Sequence, residues 1–176
     1  MSSISIQMTG IISTNAECVV NAANSSLLAG GGVCGIIFNA AGAKQLQKAC
    51  NAYGGCPTGS AVITPGFNLK AKYIVHAVGP IWQGGNNREP QHLYGCYRKS
   101  LELAMQNDCH SICFPLISAG IFGYPKLQAW RKALQSCSDF IKKNPNYNID
   151  IIFAIIDQPT FDLGVTVAKS LNIPIG

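Results

Sequence analysis

One stretch constrains this chain more than any other: Val20-Asn21-Ala22-Ala23-Asn24-Ser25-Ser26-Leu27-Leu28-Ala29-Gly30-Gly31-Gly32-Val33-Cys34-Gly35 joins an apolar strand to a glycine-rich turn and then to a helix start. Consecutive glycines let backbone N–H groups approach a phosphate with no Cβ in the way, and a helix beginning near Val33 adds the positive end of its dipole. The chemistry indicated is a diphosphate or nucleotide-like ligand.

The commoner phosphate-binding patterns do not fit. A P-loop needs Lys-Ser or Lys-Thr after its last glycine, and Val33-Cys34 stands there; a dinucleotide fingerprint needs its glycines directly off the strand, whereas nine residues separate Val20 from Gly30. The segment instead resembles the first ligand loop of macro domains, Val-Asn-Ala-Ala-Asn, a short variable stretch, then Gly-Gly-Gly-Val. Three further segments extend the resemblance over roughly residues 2 to 157: Cys56-Pro57-Thr58-Gly59-Ser60-Ala61-Val62-Ile63-Thr64, Tyr73-Ile74-Val75-His76-Ala77-Val78-Gly79-Pro80, and Phe114-Pro115-Leu116-Ile117-Ser118-Ala119-Gly120-Ile121-Phe122-Gly123-Tyr124-Pro125. The last is similar to that family's second phosphate loop.

The resemblance implies an ADP-ribose site. By it, Asn24 hydrogen-bonds the distal ribose; the backbone of Gly30, Gly31, Gly32, Val33 and Cys34 lines that ribose and one phosphate. Ser118, Ala119, Gly120, Ile121 and Phe122 wrap the diphosphate with N–H groups, Phe122 also packing on the distal ribose. An amide side chain can donate to and accept from a ribose hydroxyl pair, and backbone N–H groups neutralise phosphate without bulky cations. The adenine end departs from the family pattern. Gly10, beside Ile11, stands where many members carry an aspartate that accepts from the adenine amino group, and Ile156 before Asp157 replaces a frequent aromatic. Losing a charged acceptor costs about 1.5 to 3 kcal/mol, so weaker or less base-selective binding is expected.

Catalysis is open at this level. In the hydrolase branch an aspartate commonly follows Gly-Gly-Gly-Val; here Cys34 stands there, and Phe38 replaces a frequent histidine. Asn24 and Cys34 are the candidate catalytic residues. Cys34 is read first as a small residue packed beside the ribose, with a thiolate near a helix N-terminus as the alternative. The reaction consistent with this set is substrate-assisted: a water held between a ligand phosphate and the first loop attacks the anomeric carbon or the ester while Asn24 orients the ribose. Two function classes follow: a hydrolase acting on mono-ADP-ribosylated acidic side chains or on O-acetyl-ADP-ribose, and a reader that binds ADP-ribose or a related metabolite without turnover.

The remaining features bound the class. At 176 residues the chain has the length of one domain, 1–176, able to bury about two thirds of its unfolded surface. Its eight cysteines fall singly inside apolar elements and the N-terminus lacks a basic segment before an apolar core, so a reduced, cytoplasmic setting is expected, with no disulfides. No cysteine pair or histidine pair has metal-ligand spacing, and no metal or cofactor is expected. The net charge of +5 comes from lysines and arginines scattered over helices, such as Lys44, Lys48, Arg98, Lys99, Arg131 and Lys132, rather than from a nucleic-acid-binding run. No apolar run reaches the roughly 20 residues of a membrane span.

Periodicity predicts strands near 3–8, 17–21, 60–64, 73–78, 111–116 and 149–156, and helices over 33–41, 43–52, 90–106, 126–143 and 160–171. That alternation implies a three-layer α/β/α fold with a mixed, largely parallel sheet, and it puts both glycine loops after strands, at one edge of the sheet. His76, inside an apolar strand, reads as a satisfied structural histidine. Tyr124-Pro125 reads as the start of the following helix, and Gln83–Arg88 as a surface turn.

Overall fold

Strands and helices alternate through the computed structural model, which describes residues 1–176. In chain order they are β1 (Ser3–Met8), β2 (Cys18–Ala23), α1 (Gly32–Ala41), α2 (Ala43–Asn51), β3 (Ala61–Pro65), β4 (Tyr73–Val78), α3 (Glu89–Gln106), β5 (Ser111–Phe114), α4 (Lys126–Lys143), β6 (Asp150–Ile155) and α5 (Gln158–Ser170). The strands form one sheet in the order β1-β6-β5-β2-β4-β3. All neighbours are parallel except β3, which closes one edge antiparallel to β4.

Side chains of a strand point alternately to its two faces, and here both faces are apolar. Cys18 and Val20 of β2, Val75 and Ala77 of β4, Ile112 and Phe114 of β5, and Ile151 and Phe153 of β6 point to one face, where α3, α4 and α5 cover them with Tyr97, Trp130 and Val167. Val19, Ile74 and Cys113 point to the other, under Ile37 and Phe38 of α1 and Leu46 of α2. Each Val, Leu, Ile or Phe side chain among them contributes about 1.5–3 kcal/mol on burial, so both layers hold the sheet. Gly164 sets the approach of α5: a Cβ there would sit 2.7 Å from the Trp130 ring and 2.8 Å from Ile6 Cδ1.

Element ends differ from the periodicity reading where local chemistry decides. β2 continues to Ala23 because Ala22 and Ala23 pair with Ala77 and Val78. β5 stops at Phe114, since Pro115 has no N–H to give the ladder. α5 starts at Gln158, earlier than predicted, because the Asp157 carboxylate caps it by accepting from Thr160 N at 3.0 Å. Pro125 is the N-cap of α4 rather than part of its first turn, and Tyr124 is buried in the core.

Candidate functional site

β2 feeds α1 and α2 on one face of the sheet, and its neighbour β5 feeds α4 on the other. Between two strands whose connections leave in opposite directions a crevice opens above the carboxyl ends. It holds a cavity of about 540 Å³ lined by Ala23 at the end of β2, Pro115 just past β5, Ile155 at the end of β6, and the two glycine loops.

The first loop is shaped by side chains from outside the glycines. Asn24 Nδ2 donates to the Leu28 carbonyl at 2.9 Å and its Oδ1 accepts from Leu28 N at 3.0 Å. From α2, Gln47 accepts from Ala29 N and donates to the Leu27 carbonyl, both at 2.9 Å. Gly35 lets the loop fold back on α1, because a Cβ there would meet the Gly30 carbonyl oxygen at 2.8 Å. Gly32 enters α1 at φ +57°, with open space where a Cβ would be. α1 has no side-chain cap and no acidic residue in its first turn. The N–H groups of Gly32, Val33 and Cys34, which a helix start leaves unpaired, face no competing protein anion on their own helix.

The second loop offers a matching set. Its closing bonds are Gly123 N to the Gly120 carbonyl at 3.0 Å and Tyr124 N to the Ser118 carbonyl at 2.9 Å, which leaves the N–H groups of Gly120, Ile121 and Phe122 without a protein acceptor. Ser118 holds the left-handed backbone at φ +66°. Gly79, just past β4, makes room for it, since a Cβ there would lie 2.2 Å from Ser118 Oγ.

Cys34 lines the cavity with its thiol hydrogen-bonded on two sides. Its Sγ accepts from Asn21 Nδ2 at 3.7 Å and donates to the Leu28 carbonyl at 3.8 Å, tying α1 to β2 and to the loop that Asn24 closes. Asn21 Nδ2 also lies 3.1 Å from His76 Nδ1, and His76 Nε2 lies 3.0 Å from Thr64 Oγ1. Burial pushes the His76 pKa down to about 4, so at neutral pH the ring is an uncharged member of this chain of polar contacts.

The cavity lining brings together Asn24, Gly30, Gly31, Gly32, Val33, Cys34, Ser118, Ala119, Gly120, Ile121, Phe122, Ile156 and Asp157. Gly10 and Ile11 are not in it. After β1 the chain bonds Thr9 N to the Ile155 carbonyl and turns, Ser13 N donating to the Gly10 carbonyl at 3.1 Å. That turn sends the Ile11 side chain into the core on the α1 face, where it is 5% exposed. Ile156 stands at the rim with 81% of its surface exposed, and Asp157 is engaged as the cap of α5.

Sequence reasoning missed Lys126 and Thr160, which also line the cavity. Lys126 is the first residue of α4 and lies close enough to Asp157 to help lower its carboxyl pKa, after the larger effect of the Thr160 hydrogen bonds. The only signal for either was position, just past a proline or a cap. Asn21 Oδ1, Ser118 Oγ and Thr160 Oγ1 are the buried side-chain polar atoms with no protein partner. Each such atom costs about 1–3 kcal/mol unless something bonds it, and two of the three belong to residues of the cavity.

The macro domain family model matches residues 20–133, which include both loops. The chain belongs to the macro domain family. A macro domain-containing protein of Mesorhizobium japonicum is 42% identical over 169 residues, 96% of this chain and 95% of that one. Another, of Chlorobaculum tepidum, is 50% identical over 131 residues, 74% of this chain and 76% of that one. Among solved structures, the Oceanobacillus iheyensis macrodomain with ADP has a TM-score of 0.88 at 36% identity, covering 95% of this chain and 90% of its own. The Trypanosoma brucei macrodomain in complex with ADP-ribose has a TM-score of 0.85 at 34% identity, covering 93% of this chain and 68% of its own. The three-layer architecture expected from the sequence is therefore the family's fold. All eight cysteines are free and buried, and no helix is long and apolar enough to cross a membrane.

Proposed function

We propose that this macro domain binds ADP-ribose in the cavity over β2, β5 and β6 and hydrolyses mono-ADP-ribosyl esters on acidic side chains or O-acetyl-ADP-ribose. The observation that carries the reading is the pairing of two N–H arrays, Gly32 to Cys34 and Gly120 to Phe122, on one cavity with no protein acceptor for either. Two such arrays suit a diphosphate, one phosphate to each. The solved relatives that hold ADP or ADP-ribose support the same ligand here.

The chemistry follows from what the lining lacks. Its ionisable side chains are Cys34, Lys126 and Asp157; Cys34 is hydrogen-bonded as both donor and acceptor, and Asp157 caps a helix. With no free general base, the attacking water is oriented by a ligand phosphate and the first-loop backbone. Attack of its oxygen at the anomeric carbon breaks the bond from that carbon to the ester oxygen, the carboxylate leaves, and a water proton passes to the phosphate or to solvent. Attack at the ester carbonyl breaks the acyl C–O bond, the ribose oxygen leaves and takes up a water proton, and the acid released gives its own proton to the phosphate or to solvent. Asn24, whose amide keeps one N–H and one lone pair beyond its bonds to Leu28, orients the distal ribose.

The absence of a free carboxylate is also what favours the second reading, a reader of ADP-ribose without turnover. Incubation with a glutamate-modified ADP-ribosylated protein decides between them. Release of free ADP-ribose supports the hydrolase, binding without release supports the reader, and a calorimetric titration with no ADP-ribose binding removes both.

A further inference from the structure

The second loop depends on a segment outside the cavity. Trp82 N donates to the Phe122 carbonyl at 2.8 Å, and the Trp82 ring packs on Tyr124 at 4.7 Å between centroids, tilted by 57°. The loop's inner turn is thus closed by its own bonds and its outer side is held by Trp82. Trp82 lies in neither strand nor helix, in the connection between β4 and α3.

What shapes that connection is one carboxylate. Glu89, the first residue of α3, is 1% exposed and accepts three backbone bonds: from Gln83 N at 2.8 Å and Gly85 N at 3.0 Å on Oε2, and from Asn87 N at 2.6 Å on Oε1. The Asn87 side chain adds a bond to Gln83 Oε1 at 2.8 Å. Gly85 turns at φ +91° against the Trp82 ring, which would lie 2.9 Å from a Cβ there. Burial raises the Glu89 pKa, but the N–H groups aimed at the carboxylate outweigh it and hold the group at about 2, so it is charged at neutral pH. No lysine, arginine or histidine bridges it. Three charge-assisted bonds on one side chain make the connection a single folded piece rather than a free surface turn.

We infer that Glu89 is a positioning residue for the second ligand loop: it folds residues 82–88 into a brace that holds the Phe122 backbone and Tyr124, keeping the Gly120 to Phe122 N–H groups turned toward the cavity. The inference rests on the reading of this cavity as an ADP-ribose site. Glu89 touches no ligand; its effect is on the fraction of molecules whose loop is ready to bind. Apparent affinity falls in proportion to that fraction, so a loop ready one tenth of the time binds about tenfold more weakly.

The test combines amide hydrogen exchange on the unliganded protein with calorimetric ADP-ribose titration of the wild type, Glu89→Gln, Glu89→Ala and Trp82→Leu. Glu89→Ala is expected to speed exchange at Trp82, Gly123 and Tyr124 while leaving β4 amides unchanged, and to weaken ADP-ribose binding by about tenfold. Glu89→Gln, which keeps an acceptor but turns an NH2 toward N–H donors, should fall between it and the wild type. Trp82→Leu keeps the carboxylate and removes the ring, and should reproduce the affinity loss in a protein whose core exchange is intact. Faster loop exchange with unchanged affinity would overturn the inference, as would unchanged loop exchange in Glu89→Ala, or affinity loss seen only with loss of protection throughout the sheet. A wild type that bound no ADP-ribose would overturn the reading of the cavity instead; the exchange arm, run without ligand, separates that failure from a failure of the brace.

Discussion

Asn24 and Leu28 form a closed pair in which the amide of one side chain takes both backbone groups of the other residue, at 2.9 and 3.0 Å. This pair closes the first loop together with Gln47, and Cys34 adds a second contact to the same Leu28 carbonyl. Asn24 therefore closes the loop and keeps one N–H and one lone pair, which under the proposed function go to the ribose.

Asn24→Ala is expected to lower single-turnover release of ADP-ribose on the order of a hundredfold, because a shift of about 1 Å in the reacting group costs that much, while calorimetric affinity falls less since both N–H arrays persist. Cys34→Ala should be milder, losing two weak sulfur bonds and a small packing contact. Complete loss of turnover in Cys34→Ala with binding intact would overturn the phosphate-and-backbone scheme in favour of a thiol-dependent one.

Gly32→Glu should abolish ADP-ribose binding and leave the fold. The position has open space around a would-be Cβ, so the side chain fits sterically, but it carries a carboxylate into the phosphate path and forces an L residue to φ +57°. That backbone conformation costs roughly 1–2 kcal/mol. Circular dichroism checks the fold and titration checks the ligand; an unchanged titration would place the diphosphate elsewhere.

Gly79→Ala should weaken ligand binding through the second loop, because the new Cβ would lie 2.2 Å from Ser118 Oγ and 2.6 Å from Ile117 Cγ2. Overpacking of this kind costs about 1–3 kcal/mol. The double variant Gly79→Ala with Ser118→Gly removes the nearest clash and suits φ +66°, so it should recover part of the lost stability, read from denaturation midpoints as a double-mutant cycle. Additive effects would show that the two positions do not press on each other.

Stability should fall between about pH 6.5 and pH 4 through His76. Its folded pKa is depressed by burial to about 4 from 6.5, so the unfolded chain binds the proton first as pH drops. The contribution is complete above 6.5 and lost as pH falls through 4, to a total of about 3 kcal/mol. Exposed His110 has a raised pKa and pulls the opposite way, so the informative quantity is the difference between wild type and His76→Gln in denaturant titrations across this window. Parallel pH profiles would assign the slope to another group.

Much of this architecture was readable in the chain itself, for identifiable reasons. Continuous β-branched and apolar runs such as Tyr73–Val78 become central strands because both sheet faces are covered, and the three glycines after Asn24 mark a turn of bare backbone that lines the cavity. These are properties of residues near one another in sequence, where steric and hydrogen-bonding rules act locally. Tertiary structure decided what depends on distant pairs. The turn after β1 buried Ile11 and kept Gly10 out of the cavity, the packing of α4 and α5 brought in Lys126 and Thr160, and Asn21 joined Cys34 to His76, 42 positions on along the chain. Gln83–Arg88, in sequence a polar turn, became a brace because Glu89 is buried and charged against its N–H groups. A side chain's partners across the fold are set by how layers stack and by which polar atoms lose water when they do, and no local pattern records that.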